Sequence, residues 1–396
     1  KNVERYIILR CTAKSGPQSI LTSVLEATRG HPEGGNLNFT QLATTCGQCA
    51  ETYEVVTEDG YILTIFRIRG DKTPVLLFHG LSASSDTYAA RGNISLAITL
   101  ANEGYDVWVG NNRGNLYGRR HVSLNPDTDK EFWDYSLHEI GYYDLAATID
   151  FIRNETGVDK ISTIGHSQGT SGHFVLTSLR PEYNERIKIF IALAPVAYMH
   201  NMPPPLSAVA LAGPTLASAF KHAGIVELFR SHGAATELVD RACSLGIVGY
   251  AACGLGLAYA YAGFDPAEIE PKVLPTLLTY FPCGISRKCL EHYDQIILST
   301  FAQYDYGKNK NMVKYGSPCP PVYDLKAVKL KVALIVGNSD KLGTVGNAKR
   351  LRAALPNVVF YKVLEPKKWG HLEFIVGKNM PKYLYPHILD LLEKYD

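Results

Sequence analysis

The chain has 396 residues, with 40 basic and 38 acidic side chains and a formal net charge of +2. That balance does not call for nucleic acid or another polyanion as a partner. At 46% hydrophobic and 20% charged residues, the composition is globular and can build one large α/β domain with an insertion, or two ordinary domains.

Residues 1–50 are rich in small and polar side chains and read as an irregular extension lying on the domain. Thr52 to Thr57 and Tyr61 to Ile68 alternate around Glu58-Asp59-Gly60, which predicts a hairpin. Val75 to Phe78 is a continuous apolar run followed by His79-Gly80-Leu81. Tyr105 to Val109 is the next, followed by Gly110-Asn111-Asn112-Arg113-Gly114-Asn115. A helical pattern covers about Glu139 to Arg153. Ile161 to Ile164 and Ile187 to Ala194 read as short buried strands, and a helix is visible from His173 to Ser178 between them. Such alternation predicts a mostly parallel sheet covered by helices on both faces.

After Pro195 the rhythm stops. From about Tyr198 to Tyr323 the chain holds Pro203-Pro204-Pro205 and small-residue apolar helices, but no clear strand. It resumes with a strand at Lys331 to Val336, a helix near Asn347 to Leu355, a strand at Val358 to Val363 and a helix at Tyr383 to Lys394. The expected organisation is one α/β domain in two parts, residues 51–197 and 324–396, with 198–323 inserted as a mainly helical cap. Within the cap, Ala242 to Phe264 has no charged residue and is long enough to span a bilayer. Its five glycines and uninformative flanks favour a buried or substrate-facing segment, so no transmembrane span is expected.

Eight cysteines are scattered along the chain, and Cys46-Gly-Gln-Cys49 lacks the βαβ context of a redox motif. With no second close pair or ligand-spaced histidines for zinc, disulfides in an oxidising compartment are the expected use. Sequons at Asn38, Asn93 and Asn154 are glycosylation candidates that point the same way. The sequence begins at Lys1 without a hydrophobic leader, so a leader has been removed or none existed.

The chemistry concentrates at Gly165-His166-Ser167-Gln168-Gly169, where a strand turns into a helix. Glycines on both sides remove the Cβ atoms that would collide in so sharp a turn, leaving Ser167 exposed on a strained elbow. A serine hydroxyl needs a histidine to take its proton and a carboxylate to orient that histidine. His371 alone among the downstream histidines lies in a loop between the last strand and the last helix. Asp340 follows the strand Lys331 to Val336 at its carboxyl end, whereas Asp324 precedes that strand and lies at the wrong end. An oxyanion needs two backbone N–H donors, assigned to Gln168 and to Leu81 in the loop after Val75 to Phe78, with His79 packing that loop. No metal or cofactor is called for.

These motifs, together with Glu54-Val-Val-Thr-Glu-Asp-Gly-Tyr-Ile-Leu63, Asp106-Val-Trp-Val-Gly-Asn-Asn-Arg-Gly-Asn115, Phe132-Trp-Asp-Tyr-Ser-Leu-His-Glu139, Ala192-Leu-Ala-Pro-Val196 and Gly370-His-Leu-Glu-Phe374, run collinearly from about Glu51 to the C-terminus. In that arrangement the chain resembles the animal acid lipase family of gastric and lysosomal lipases. The resemblance implies an α/β-hydrolase fold, triad roles for Ser167, Asp340 and His371, oxyanion donors Leu81 and Gln168, and a lid within the cap. It also implies a cap disulfide Cys243–Cys253, beside which Cys283–Cys289 is a second candidate pair. The chain departs from the family at Lys341-Leu342-Gly343-Thr344 after the acid, at Cys46-Gly-Gln-Cys49 before the first strand, and in a cap rich in glycine and alanine.

The expected function is hydrolysis of a neutral lipid ester, triacylglycerol or steryl ester, by a secreted or endolysosomal enzyme working at a lipid–water interface. A non-catalytic lipid carrier or storage protein on the same fold, and a short-chain carboxylesterase, are the alternatives.

Overall fold

The structure, a computed structural model, describes residues 37–230, 263, 265, 267–269, 279–365 and 368–395. The main sheet is built from β1 (Ala50–Val56), β2 (Tyr61–Ile68), β3 (Lys72–Phe78), β4 (Tyr105–Val109), the two-residue β5 (Arg120–His121), β6 (Ile161–His166) and β7 (Ile187–Leu193). Two further two-residue strands, β8 (Glu227–Leu228) and β9 (Ile285–Ser286), pair with each other outside it. The main sheet is completed by β10 (Val332–Gly337) and β11 (Val358–Leu364).

The strand order is β1-β2-β4-β3-β6-β7-β10-β11, with β5 beside β2. The expected hairpin is present, with Ala50 opposite Ile68 and Val56 opposite Ile62, and Gly60 taking φ +96° in its turn. From β4 to β11 every neighbouring pair is parallel. The central strands β4, β6 and β10 are buried along their whole length, as a sheet covered on both faces requires.

One face carries the helices Ala146–Thr156 and Gln168–Leu179, whose Ile149, Ile152, Phe174 and Leu176 join one core. The other carries Leu96–Asn102 and Tyr385–Tyr395, which supply Leu96, Leu100, Ile388 and Leu391 to a second. Chain order reverses at β3, which lies between β4 and β6. Ligand sites in such sheets form outside the carboxyl ends at this kind of switch point.

Two expectations are modified. The end of the extension is not irregular, because Asn38 and Gln41 form a capping box that starts the helix Phe39–Thr45. Phe39 of that helix is fully buried and stacks on Phe66 with ring centroids 5.0 Å apart. Residues 198–323 do contain strand, but β8 and β9 are too short for an alternating pattern to show. The helices Leu206–His222 and Arg287–Leu298 pack on each other, and the described part of 198–323 adds no strand to the main sheet. The stretch Ala242 to Phe264 lies outside the described residues except for Gly263. Among the described residues no helix is long and apolar enough to cross a membrane.

The loop after β4 is fixed by a buried cation. Arg113 bonds Asp59 of the hairpin turn at 2.6 Å and Asp144 at 2.7 Å. Its guanidinium lies 3.9 Å from the Tyr61 ring centroid. The Asp144 side chain is 0% exposed, so Arg113→Ala would strand a carboxylate in the core. Breaking such a pair from one side costs about 3–5 kcal/mol. Urea unfolding of Arg113→Ala should show a loss of that size, and a loss below about 1 kcal/mol would contradict this account of the loop.

Candidate active site

β6 ends at His166, and the helix Gln168–Leu179 begins after a single intervening residue. Ser167 between them takes φ +54° and ψ −117°. Holding a non-glycine residue in so sparsely populated a region costs about 1–3 kcal/mol and persists only where the surroundings demand it. Both glycines are demanded by close backbone approach. A Cβ on Gly165 would stand 2.9 Å from the Gly169 carbonyl, and one on Gly169 would stand 2.2 Å from the Phe78 carbonyl oxygen. Ser167 N–H donates to the Leu193 carbonyl at 3.1 Å, tying the turn to β7.

The structure brings Ser167, His371 and Asp340 together. His371 Nε2 lies 2.7 Å from Ser167 Oγ, and His371 Nδ1 lies 2.8 Å from Asp340 Oδ2. The second carboxylate oxygen of Asp340 accepts the N–H groups of Leu342 and Gly343, both at 2.8 Å. Both side chains are nearly closed to solvent, at 0% for Asp340 and 4% for His371. Their loops are stitched together: Ser339 N–H donates to the Trp369 carbonyl at 3.1 Å, and Trp369 N–H to Asn338 Oδ1 at 2.8 Å. Asp324 instead is exposed and caps the short turn before β10, at the amino end of the strand. His173 and His292 are buried away from Ser167, bonded to the Gly169 and Ala302 carbonyls.

The parallel register sets Phe78 beside Gly165, so the loop leaving β3 runs past the elbow. A Cβ on Gly80 would stand 3.1 Å from Ser167 Cβ. Among the described residues, neither the Leu81 nor the Gln168 backbone N–H has an acceptor. His79 is buried and neutral, its pKa pushed down to about 4 by burial, and its Nδ1 bonds the Gly80 carbonyl at 2.8 Å. It packs the loop, as the sequence suggests.

His166 joins the site without having been singled out by sequence. Its Nε2 bonds the His371 carbonyl at 3.0 Å, and burial pushes its pKa down to about 3, so it serves as a neutral strut. Its place inside the elbow motif is a signal of location, but only the fold reveals the contact with a loop 205 residues away.

The cysteine expectations divide. Cys283 and Cys289 are free and buried, which overturns the proposed Cys283–Cys289 bridge. β9 lies between them; Cys283 Sγ points to the Ser82 carbonyl at 3.4 Å and Cys289 Sγ to Gln168 Oε1 at 3.4 Å. Cys49 is disulfide-bonded, while Cys46 and Cys319 are free. Cys243 and Cys253 lie outside the described residues. Asn38, Asn93 and Asn154 are all exposed.

With this geometry, similarity to known proteins becomes informative. Residues 73–221 match the family described as the alpha/beta hydrolase fold, and residues 39–92 the one described as a partial alpha/beta-hydrolase lipase region. Lipase 1 of Drosophila melanogaster is 36% identical, covering 91% of this chain and 81% of the relative. Gastric triacylglycerol lipase of Homo sapiens is 35% identical over 94% of this chain and 97% of its own. Lysosomal acid lipase/cholesteryl ester hydrolase of Homo sapiens is 34% identical over 91% and 92%. A solved structure from Sulfolobus solfataricus superposes with a TM-score of 0.60 at 14% identity, over 88% of this chain and 95% of that one, which is a likeness of fold. The chain belongs to the acid lipase family of ester hydrolases, built on the α/β-hydrolase fold.

Proposed function

We propose that the chain hydrolyses triacylglycerol or steryl esters through an acyl-enzyme on Ser167. The unbroken hydrogen-bonded run Asp340–His371–Ser167 at the elbow carries this reading. As Ser167 Oγ attacks the ester carbonyl, its proton passes to His371 Nε2. Asp340 holds Nδ1–H and stabilises the imidazolium that forms. The carbonyl oxygen becomes an oxyanion facing the Leu81 and Gln168 N–H groups. His371 then gives the proton to the leaving alcohol, and water enters by the same steps in reverse order to release the fatty acid. A lipid carrier would have no use for this proton path, and the reading as an enzyme is preferred on that ground.

The described part of residues 198–323 serves in this reading as the cap over this centre. The helix Leu206–His222 presents Leu211 and Leu216 to solvent, 71% and 47% exposed, which suits contact with acyl chains or a lipid–water interface. A secreted or endolysosomal location agrees with the gastric and lysosomal relatives, with the Cys49 disulfide and with accessible sequons at Asn38, Asn93 and Asn154.

Glu373 suits acid conditions. It is fully buried, one oxygen accepts the Asp265 N–H at 2.6 Å, and among the described residues the other has no partner. Burial pushes its pKa from 4.5 up to about 8. The folded state therefore takes up a proton that the unfolded chain gives up above pH 4.5. That contribution to stability is complete below pH 4.5 and is lost as pH rises through 8.

Two outcomes follow. Ser167→Ala and Asp340→Asn should each lower turnover of triacylglycerol and steryl ester at least about 1000-fold, with Asp324→Asn near wild type. A crippled Asp324→Asn beside an active Asp340→Asn would reverse the assignment of the acid. For Glu373→Gln, neutral at every pH, the fall in Tm between pH 5 and pH 9 should flatten relative to wild type. Parallel Tm profiles would remove Glu373 as the source of that slope.

A further inference from the structure

The loop after β4 carries asparagines that the proton path leaves unused. Asn111 and Asn115 are 0% and 1% exposed and neither bonds Ser167; Asn111 Nδ2 donates to the Thr64 carbonyl of β2 at 2.9 Å and to Ser85 Oγ at 3.0 Å. Asn115 Nδ2 lies 3.1 Å from His79 Nε2, 3.3 Å from the Ala83 carbonyl oxygen and 2.9 Å from Asn111 Oδ1. Asn115 Oδ1 accepts Tyr117 N–H at 2.9 Å, which fixes which end of the amide is the nitrogen. Asn111 Oδ1 in turn accepts Ser85 N–H at 2.8 Å.

The tautomer of His79 closes the logic. Its Nδ1 faces the Gly80 carbonyl, an acceptor, so the ring proton sits there and Nε2 offers a lone pair. Two donors face that lone pair, Asn115 Nδ2 and, more distantly, Asn112 N–H at 3.4 Å. The segment so held includes Ser82 at φ +51°, a left-handed conformation that a non-glycine residue keeps only under constraint. Cys283 N–H grips the same residue from the other side, donating to the Ser82 carbonyl at 2.8 Å. Leu81 lies between Gly80, which abuts Ser167, and the constrained Ser82.

We propose that Asn115 is a positioning residue for ester hydrolysis: its buried amide, acting through His79 and the Ala83 carbonyl, aims the Leu81 N–H at the oxygen that gains negative charge. The proposal rests on the reading of Leu81 as an oxyanion donor. It separates two roles within one turn, since Leu81 touches the reacting atoms and Asn115 does not.

The test compares a p-nitrophenyl ester with its thionoester, in which C=S replaces C=O. Sulfur accepts hydrogen bonds weakly, so a displaced donor penalises the oxygen substrate far more than the sulfur one. Active sites are counted by organophosphonate titration, and kcat and KM are measured per titrated site. Asn115→Ala should lower kcat for the oxygen ester about 10- to 100-fold with KM little changed. Its rate on the thionoester should hold within about threefold, so that the oxygen-to-sulfur ratio collapses. If Asn115→Ala yields no titratable protein, Asn115→Ser is measured in the same way. An unchanged ratio, or equal losses on both substrates, would overturn the proposal. A wild-type ratio already near one would overturn the Leu81 assignment beneath it.

Discussion

The carboxyl ends of β3 and β6 lie side by side, and the helix leaving Ser167 returns so close to them that no Cβ fits at Gly165 or Gly169. This backbone approach accompanies the unusual φ of Ser167, whose hydroxyl lies 2.7 Å from His371 Nε2. It also brings Gly80 against Ser167, so the proposed nucleophile and the neighbouring turn are placed by one contact. A larger residue at Gly169 would push the helix away from the Phe78 carbonyl and separate the two halves of the site. Precision at this junction comes from rigid elements meeting, with loops only completing the arrangement.

Around the junction, neutral buried groups hold the geometry that the charged steps require. His79, His166 and His173 are all buried, with pKa values pushed down to about 4, 3 and 4 by burial. Each spends its ring on a backbone carbonyl: Gly80, His371 and Gly169 respectively. His371 differs in facing a carboxylate on one side and a hydroxyl on the other. The same side-chain type thus divides into struts and the proposed proton carrier according to its partners. Dipoles fixed before the reaction starts need no reorganisation when charge develops, which is the condition for strong electrostatic stabilisation.

Much of this was legible in the sequence because it follows from periodicity and from backbone crowding. The hairpin, the buried runs and the two-glycine elbow each carry a local pattern, and chain order selects His371 and Asp340. The helix after Ser167 was legible only from His173, since Gly169 and Gly172 blur its first turn, although the helix starts at Gln168. What stayed hidden depends on contacts distant in sequence. His166 meets His371 across 205 residues, and Glu373 is buried beside Asp265, 108 residues away. Cys283 and Cys289 show the converse: they are a candidate pair by sequence, but β9 and the helix after it turn the thiols toward Ser82 and Gln168. Proximity in sequence does not set the direction of a side chain.

The central claim is that the Asp340–His371 pair activates Ser167 as a nucleophile. A long-chain organophosphonate reacts only with an activated serine, and peptide mapping locates the adduct. The account predicts one equivalent of label per chain, all of it on the peptide containing Ser167, with loss of ester hydrolysis in proportion. Label on another serine, or full activity remaining after Ser167 is saturated, would contradict it.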